Sequence, residues 1–205
     1  MNGPMFWNAL LRGLANVGHN EENMMIAGGC IRDWLLGLEP KDIDIFIGSG
    51  NTHFNAPETW EAGEQNRDEE YFGRGGPQNI TAIHNYRVAN TDVQVIYCNR
   101  SIYAHLASFD LKLSNAFFTL TGGLTVPQPV IDSLESKTIL ANLHRTAANT
   151  MERAERFLAK VSEVEEGWRI DREQIRHEMP MAAPQNLVFN RLPPPAFAGL
   201  GGDWA

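Results

Sequence analysis

Two aspartates separated by one residue, Asp42 and Asp44, are the residues of this chain best placed to do chemistry. They lie in KDIDIFIG, whose alternation predicts a β-strand with both carboxylates on one face, about 6–7 Å apart. Two carboxylates on one face repel each other unless a cation lies beside them. Mg²⁺ accepts carboxylate ligands and keeps positions open for phosphate oxygens and water, so the pair predicts a magnesium site.

A second group of residues precedes this strand, in the stretch AGGCIRDWLLG. Gly28 and Gly29 follow a short apolar run and open a short predicted helix that ends at Gly37. Because they lack side chains, the two glycines would let a phosphate chain approach the amides at the start of that helix. Arg32 is a fixed positive charge that can bind phosphate or clamp a carboxylate. The order and spacing of these residues favour a phosphate-binding turn beside the metal site.

The elements that must hold these residues predict a mixed sheet with helices around it. The N-terminal segment repeats apolar residues like one face of a helix, at Phe6, Leu10, Leu11, Leu14 and Val17. Strands are predicted for NMMIAGG and KDIDIFIG, and a hairpin for ITAIHNYRV and TDVQVIYC. SIYAHLASF predicts a helix, and DLKLSNAFFTLTGG predicts a further strand. This pattern is α+β and not a regular βαβ repeat.

The remaining segments set the predicted domain limits. Residues 48–78 are rich in Gly, Asn and Glu, and within them 57–71 predict a weak helix. Residues 132–168 are helical in character, and a further short helix is predicted over 171–178. We therefore predict three parts, a sheet domain, a helical extension and a Pro- and Gly-rich tail, over residues 1–135, 136–190 and 191–205.

Composition excludes several classes of protein. The net charge of -8 argues against broad adhesion to nucleic acid, where contacts to phosphate dominate affinity. Cys30 and Cys98 are the only cysteines and cannot form a disulfide framework. No apolar run approaches the length of a membrane span, and no secretory signal is evident. A reduced, cytoplasmic protein that makes no contact with membranes is expected.

The stretch GGCIRDWLLGLEPKDIDIFI resembles the signature of the DNA polymerase β-type nucleotidyltransferase superfamily, in particular the head domain of class II tRNA CCA-adding enzymes and bacterial poly(A) polymerases. The resemblance implies a nucleotidyltransferase palm over 1–135 and a neck-like extension over 136–190. It implies that Gly28 and Gly29 hold a nucleoside triphosphate, and that Asp42 and Asp44 bind two Mg²⁺ ions, for which Mn²⁺ can substitute. Arg32 and Asp33 would support the triphosphate and the internal hydrogen bonds of the site.

The third carboxylate of the family pattern is missing, because its position holds Gln94. Glutamine can hold a water or orient a hydroxyl, but it is a poor general base. Asp92 lies two residues earlier on the same strand face, and Asp110 is flanked by apolar residues; either could take the catalytic role. Alternatively, the site works with two carboxylates or is degenerate.

The resemblance implies an enzyme that moves a nucleoside monophosphate from an NTP to an acceptor hydroxyl with release of pyrophosphate. The acceptor could be an RNA 3′ end, a protein or a small molecule. The base-reading Asp and Arg of CCA-adding enzymes have no clear match in MERAERFLAKV. The alternative function is a catalytically degenerate member that binds a nucleotide or a protein. The sequence indicates no oligomeric state.

Overall fold

The structure is a computed structural model that describes residues 3–49, 54–63, 80–142 and 147–176. The α-helices are α1 Pro4–Asn16, α2 Gly29–Leu35, α3 Ile102–Leu106, α4 Gln128–Glu135, α5 Ala147–Ser162 and α6 Arg172–Arg176. The strands are β1 Met24–Ala27, β2 Asp42–Ile47, β3 Glu61–Ala62, β4 Ile80–Val88, β5 Thr91–Cys98, β6 Phe117–Thr119, β7 Gly123–Thr125, β8 Thr138–Ile139 and β9 Arg169–Ile170. Short 3₁₀ turns occur at Glu21–Asn23 and Lys112–Asn115.

Seven strands form one mixed sheet in the order β3-β4-β5-β2-β1-β6-β7, and β8 and β9 form a separate parallel pair. Within the large sheet only β2 and β5 run parallel, and every other recorded pairing is antiparallel. The predicted hairpin of β4 and β5 is present, and its turn at Ala89 and Asn90 has positive φ at both residues, as tight hairpin turns require. The predicted α+β class with a nucleotidyltransferase-type sheet is confirmed.

The two faces of the sheet are covered differently. One face carries the main core, where Ile43 and Ile45 of β2 pack with Trp7 of α1 and Phe157 of α5. The other face carries a smaller apolar cluster, built on Met25, Phe46, Ile96, Ile102 and Leu106. Because side chains alternate along a strand, Asp42 and Asp44 share the face of Phe46. The apolar cluster covers one end of that face, and the aspartates lie at the other end, only partly buried.

Three predicted elements differ in detail from the described structure. Within the helix predicted over 57–71, residues 57–63 form a turn and strand β3 instead; Pro57 packs near Gly13 and Trp60 packs on Tyr86, which fixes this part as an edge strand. Residues 64–71 lie outside the described part.

The predicted strand DLKLSNAFFTLTGG begins instead with a 3₁₀ turn, and the Lys112 amide in that turn donates a hydrogen bond to the Leu140 carbonyl before β6 pairs with β1. The helical segment 132–168 is broken by β8, since α4 ends at Glu135 and Lys137, two residues later, has a φ of +48°. Residues 177–205, which include the end of the predicted 171–178 helix and the tail, lie outside the described part.

A buried carboxylate ties α2 to α5, although these helices are far apart in sequence. Asp33 is 4% exposed. Its Oδ1 accepts a hydrogen bond from Nε of Arg32 at 2.8 Å, and its Oδ2 accepts one from Nζ of Lys160 at 2.6 Å. The Arg32 guanidinium lies 4.2 Å from the centroid of the Phe157 ring. We call Arg32, Asp33 and Lys160 the clasp. It joins residues on the two sides of the predicted boundary at 135/136, and residues from both sides also pack in one apolar core.

Replacing Asp33 with asparagine should destabilise the protein, because the change leaves the two cations of the clasp without their carboxylate. The expected loss is about 2 kcal/mol in the free energy of unfolding, below the full value for a deeply buried pair since Lys160 is 37% exposed. Urea denaturation measures it. The matched control is Glu155→Gln, which breaks a half-exposed pair with Arg172 and should cost less than about 1 kcal/mol. Equal losses in the two variants would contradict a structural role for the clasp.

Candidate active site

The parallel pairing of β2 and β5 places the predicted polar residues side by side. In the register of this pair, Asp42 lies beside Asp92 and Asp44 lies beside Gln94. The antiparallel strand β4 extends both rows, with Arg87 beside Asp92 and Asn85 beside Gln94. One face therefore carries two cross-strand rows. The first row is Asp44, Gln94 and Asn85, and the second is Asp42, Asp92 and Arg87.

The glycine turn borders the same face. Gly28 precedes α2 with a φ of +91° and a ψ of -141°. This conformation is strained for any residue with a side chain, so it favours glycine. A Cβ built on Gly28 would lie 3.5 Å from Oδ2 of Asp44 and 3.8 Å from the Phe109 ring. A Cβ on Gly29 would lie 3.4 Å from Nη2 of Arg32. The backbone of the turn therefore directly adjoins Asp44, with Arg32 at its other side.

Both aspartates are held in a setting that disfavours their charge. Burial, and then the charge of Asp42, raise the pKa of Asp44 to about 7, although Arg153 and Arg32 oppose the rise. Burial also raises the pKa of Asp42, with smaller contributions from Asp33 and Asp92 and an opposing one from Lys41. Burial first, and then the charge of Asp44, raise the pKa of the buried Cys30 thiol.

This donor set fits a divalent cation. A cation beside Asp42 and Asp44 would relieve their repulsion and return both to the charged form, and carboxylates are the ligands that Mg²⁺ uses in proteins. The carboxamide of Gln94 adds a neutral oxygen donor in the neighbouring strand position. Within the described ranges, no three His, Cys, Asp or Glu side chains converge in a way that could hold a metal ion.

The two candidates for a third carboxylate lie in contrasting surroundings. Asp92 is 62% exposed and pairs with Nη1 of Arg87 at 3.1 Å. The side chain of Asp110 is only 2% exposed, and its Oδ2 lies 2.8 Å from Nε of Arg153 on α5. Asp92 is thus the candidate that lies beside the pair in register, and Asp110 is engaged by α5.

Sequence reasoning did not single out Arg153 or Phe109. Arg153 lies four residues before Phe157, on the edge of the α5 face that buries Ala154, Phe157 and Val161. The helical spacing of Arg153 from these apolar residues could have marked it as the charged residue nearest the buried face. The other charged residues nearby, Glu152, Glu155 and Arg156, are exposed. Phe109 carried no such signal, since its proximity to Gly28 depends on the chain's path after α3.

The raised pKa of Asp44 makes stability depend on pH in metal-free buffer. Between about pH 4 and pH 7 the folded state keeps a proton that the unfolded carboxyl, with its ordinary pKa of about 3.9, has lost. Raising the pH through this window should therefore lower the free energy of unfolding, by an amount on the order of 2–4 kcal/mol, with no further change above it.

Asp44→Asn should flatten most of that slope in EDTA and be more stable than the wild type at pH 8, as measured by urea denaturation at several pH values. Glu163→Gln, at an exposed position, should keep the wild-type slope. A slope unchanged in Asp44→Asn would show that this carboxyl is not the titrating group.

The sheet order, the glycine turn and the paired aspartates define a protein with the nucleotidyltransferase fold. Solved structures of similar fold include the Bacillus stearothermophilus CCA-adding enzyme in complex with CTP, which is 19% identical with a TM-score of 0.53 over 85% of this chain and 43% of that one. The Thermotoga maritima CCA-adding enzyme complexed with tRNA-CCA is 17% identical with a TM-score of 0.51, over 83% of this chain and 40% of that one. An apo tRNA-processing enzyme is 15% identical with a TM-score of 0.53, over 83% of this chain and 44% of that one. The chain spans less than half the length of these proteins.

Sequence comparison identifies the particular family. A family model described as Gabija anti-defense 2 family protein matches residues 5–137, more than half of the 205 residues, and the chain belongs to that family. No curated protein sequence matches it significantly. Among the described helices, none is both long and apolar enough to cross a bilayer.

Proposed function

We propose that the protein is a metal-dependent nucleotidyltransferase, which moves a nucleoside monophosphate from an NTP to an acceptor hydroxyl with release of pyrophosphate. One observation carries the proposal: the glycine turn lies directly against Asp44, the partner of Asp42. A turn that admits phosphate and a carboxylate pair that fits a cation thus adjoin on the open end of one sheet face. Nucleotidyl transfer requires both parts at this proximity.

The residues of the chain divide the work between them. Gly28 and Gly29 leave room for the triphosphate, and Arg32 offers a guanidinium whose orientation Asp33 fixes. Asp42 and Asp44 would hold two Mg²⁺ or Mn²⁺ ions. When bound, such ions neutralise the triphosphate and lower the pKa of the attacking hydroxyl.

Three residues are considered for the role of the missing third carboxylate. Gln94, beside Asp44, can hold an acceptor hydroxyl or a water in place by hydrogen bonds. Asp92, exposed and beside Asp42, is our candidate for the third carboxylate. Asp110 is the weaker candidate, because Arg153 engages its Oδ2.

The acceptor is proposed from the family and the fold neighbours together. The neighbouring structures hold CTP or tRNA, which is compatible with an NTP substrate and with an RNA 3′ end as acceptor. The family description names Gabija anti-defense as its role. We propose that a component of the Gabija system, protein or nucleic acid, accepts the nucleotide in the cytoplasm and is thereby inactivated.

The experiment incubates the protein with each labelled NTP and Mg²⁺ or Mn²⁺, in lysates of cells that carry or lack Gabija. Label transfer to a macromolecule present only in the Gabija lysate is the expected result. Absence of transfer to any acceptor, together with no calorimetric NTP binding in Mg²⁺, would overturn the proposal.

A second candidate function is that of a non-catalytic binding module. The observation in its favour is Gln94, which lies beside Asp44. The nucleotidyltransferase pattern that the sequence resembles has a carboxylate at this position. A binding module would counter Gabija in cells even when Asp42 and Asp44 are both changed to asparagine. The enzyme would lose that effect, so the double variant distinguishes the two functions.

A further inference from the structure

A cavity of about 360 Å³ borders strand β9 and the start of α6, and none of its lining residues belongs to the glycine turn or the aspartate pair. The volume lies within the range of roughly 300–1,000 Å³ that is usual for small-molecule sites. The cavity offers a hydroxyl, two guanidinium groups, two carboxylates and one apolar side chain. In chain order its lining residues are Thr138, Arg169, Ile170, Asp171, Arg172 and Glu173.

A buried hydroxyl orients Arg169 in this cavity. Nε of Arg169 donates a hydrogen bond to Oγ1 of Thr138 at 3.1 Å, and Thr138 is only 8% exposed. The hydroxyl of Thr138 in turn donates to the Ser136 carbonyl at 3.0 Å, which holds its oxygen in place as the acceptor for Arg169. In the part of the chain that the structure describes, Arg169 forms no ion pair. Its two Nη groups, which carry most of the N–H donors of the guanidinium, are therefore free of any described carboxylate.

Arg172 lines the same cavity and is held from the side of α5. Its Nη1 donates to Oε1 of Glu155 at 2.9 Å, and the two side chains are about half exposed. The same Nη1 lies 3.6 Å from Sδ of Met151. The contacts of Arg172 with described side chains thus use one nitrogen, which leaves its Nε and Nη2 donors for a ligand.

The two carboxylates of the cavity leave these donors unmatched. Asp171 is committed to α6, because its Oδ1 accepts a hydrogen bond from the Gln174 amide at 2.9 Å. Glu173 is exposed in the first turn of α6, and within the described ranges it pairs with neither arginine. Arg169 and Arg172 are therefore the charged groups with hydrogen-bonding capacity to spare, and an oxyanion is the ligand that matches them.

Helix α5 separates this cavity from the candidate active site. Glu155, the partner of Arg172, lies two residues after Arg153, the partner of Asp110. Two residues along an α-helix rotate the side-chain direction by about 200°, so the two ion pairs lie on nearly opposite sides of α5. The cavity is thus a separate place in the fold and not an extension of the first site.

We propose that Arg169 and Arg172 form a second anion site, which binds a phosphate group while Ile170 packs against the rest of the ligand. Guanidinium groups match the oxygens of phosphate in geometry and in charge. A free nucleotide and the backbone of a nucleic acid both present such a group. The site is independent of the proposed transfer reaction, because it contains none of the residues that would hold the metal ions or the triphosphate.

NMR titration of the full chain tests the proposal with three probes: inorganic tripolyphosphate, ATP and a single-stranded RNA oligonucleotide. EDTA in the buffer keeps divalent ions away from Asp42 and Asp44. The backbone amide signals of Thr138 and Ile170 report binding at the cavity, since both residues line it and remain in every variant. Tripolyphosphate should shift both signals of the wild type, and the shifts give a dissociation constant.

Arg169→Gln/Arg172→Gln should weaken that binding by at least about 10-fold, as expected for the loss of charge-assisted contacts. The matched control Arg12→Gln/Arg100→Gln removes the same charge from exposed positions outside the cavity, and it should bind within about twofold of the wild type. Arg169→Lys/Arg172→Lys keeps the charge and loses the planar fork, so it should also bind more weakly than the wild type. The same spectra show whether each variant is folded.

The remaining outcomes identify the ligand or reject the site. Whichever of ATP and RNA saturates the two amide shifts at the lower concentration is the source of the phosphate group, and either result supports the proposal. No shift of these amides with any probe overturns it. Equal losses in the two glutamine double variants also overturn it, because general charge attraction would then explain the binding. A missing transfer activity leaves these outcomes unchanged, since they are measured without metal.

Discussion

Asp42→Asn and Asp44→Asn, combined in one variant, should reduce nucleotidyl transfer by at least about 10³-fold, because removing both charges removes the metal ligands while keeping side-chain shape. Ten-fold in rate corresponds to about 1.4 kcal/mol, and metal-ion stabilisation of the transition state contributes several kcal/mol. Single-turnover transfer of labelled nucleotide, at saturating Mg²⁺, is the measurement.

Unfolding cannot account for that loss if the pKa of Asp44 is raised as described. The variant lacks two partly buried carboxyl groups, and burial disfavours the ionised form of each. It should therefore be at least as stable as the wild type at pH 8 in EDTA. Glu163→Gln, which removes an exposed carboxylate, should transfer at the wild-type rate. Retention of more than about a tenth of the wild-type rate by the double aspartate variant would contradict a catalytic role for the pair.

Gln94→Glu should have the second largest effect. It should lower the Mg²⁺ concentration needed for half-maximal nucleotide binding and transfer by at least about 10-fold. The change places a negative charge one strand, or about 4.8 Å, from Asp44 in the row that Gln94 shares with it. A third carboxylate increases the attraction for a divalent ion, and without the ion it raises the repulsion that Asp44 already experiences. Mg²⁺ titration of nucleotide binding and of transfer measures the first effect, and urea denaturation in EDTA measures the second as a loss of stability.

The matched control is Asn85→Asp, which adds the same charge in the same row but two strands, or about 9.6 Å, from Asp44. Its effect on Mg²⁺ dependence should be clearly smaller. Equal effects in both variants would mean that general surface charge, and not a defined metal position, sets the dependence. Transfer by Gln94→Glu from a wild type that shows none would identify the natural protein as the binding module.

Local patterns were sufficient to predict the parts of the site that lie close together in sequence. Alternation put Asp42 and Asp44 on one face, and paired glycines marked the turn before α2, because both features are decided within a few residues. The strand-pair register that sets Gln94 beside Asp44 depends on a parallel pairing across the segment 48–78, which no local pattern encodes.

Tertiary contacts decided what the sequence could not. A weak helix was predicted over 57–71, yet within its described part, 57–63, Trp60 packs on Tyr86 and β3 pairs with β4. Asp110 reads as an apolar-flanked carboxylate open to a catalytic role, but its contact with Arg153 requires knowledge of where α5 lies. These are cases in which packing overrides local preference.

The clasp also determines when the protein can complete its fold during synthesis on the ribosome. Lys160 is translated 127 residues after Asp33, so a nascent chain carries the complete glycine turn and aspartate pair long before α2 is secured. At roughly 5–20 residues per second, that interval is about 6–25 s. Until α5 emerges from the ribosome, Asp33 lacks one of its two cations and the main core lacks Phe157, so the newborn polypeptide should depend on chaperones or remain inactive for that period.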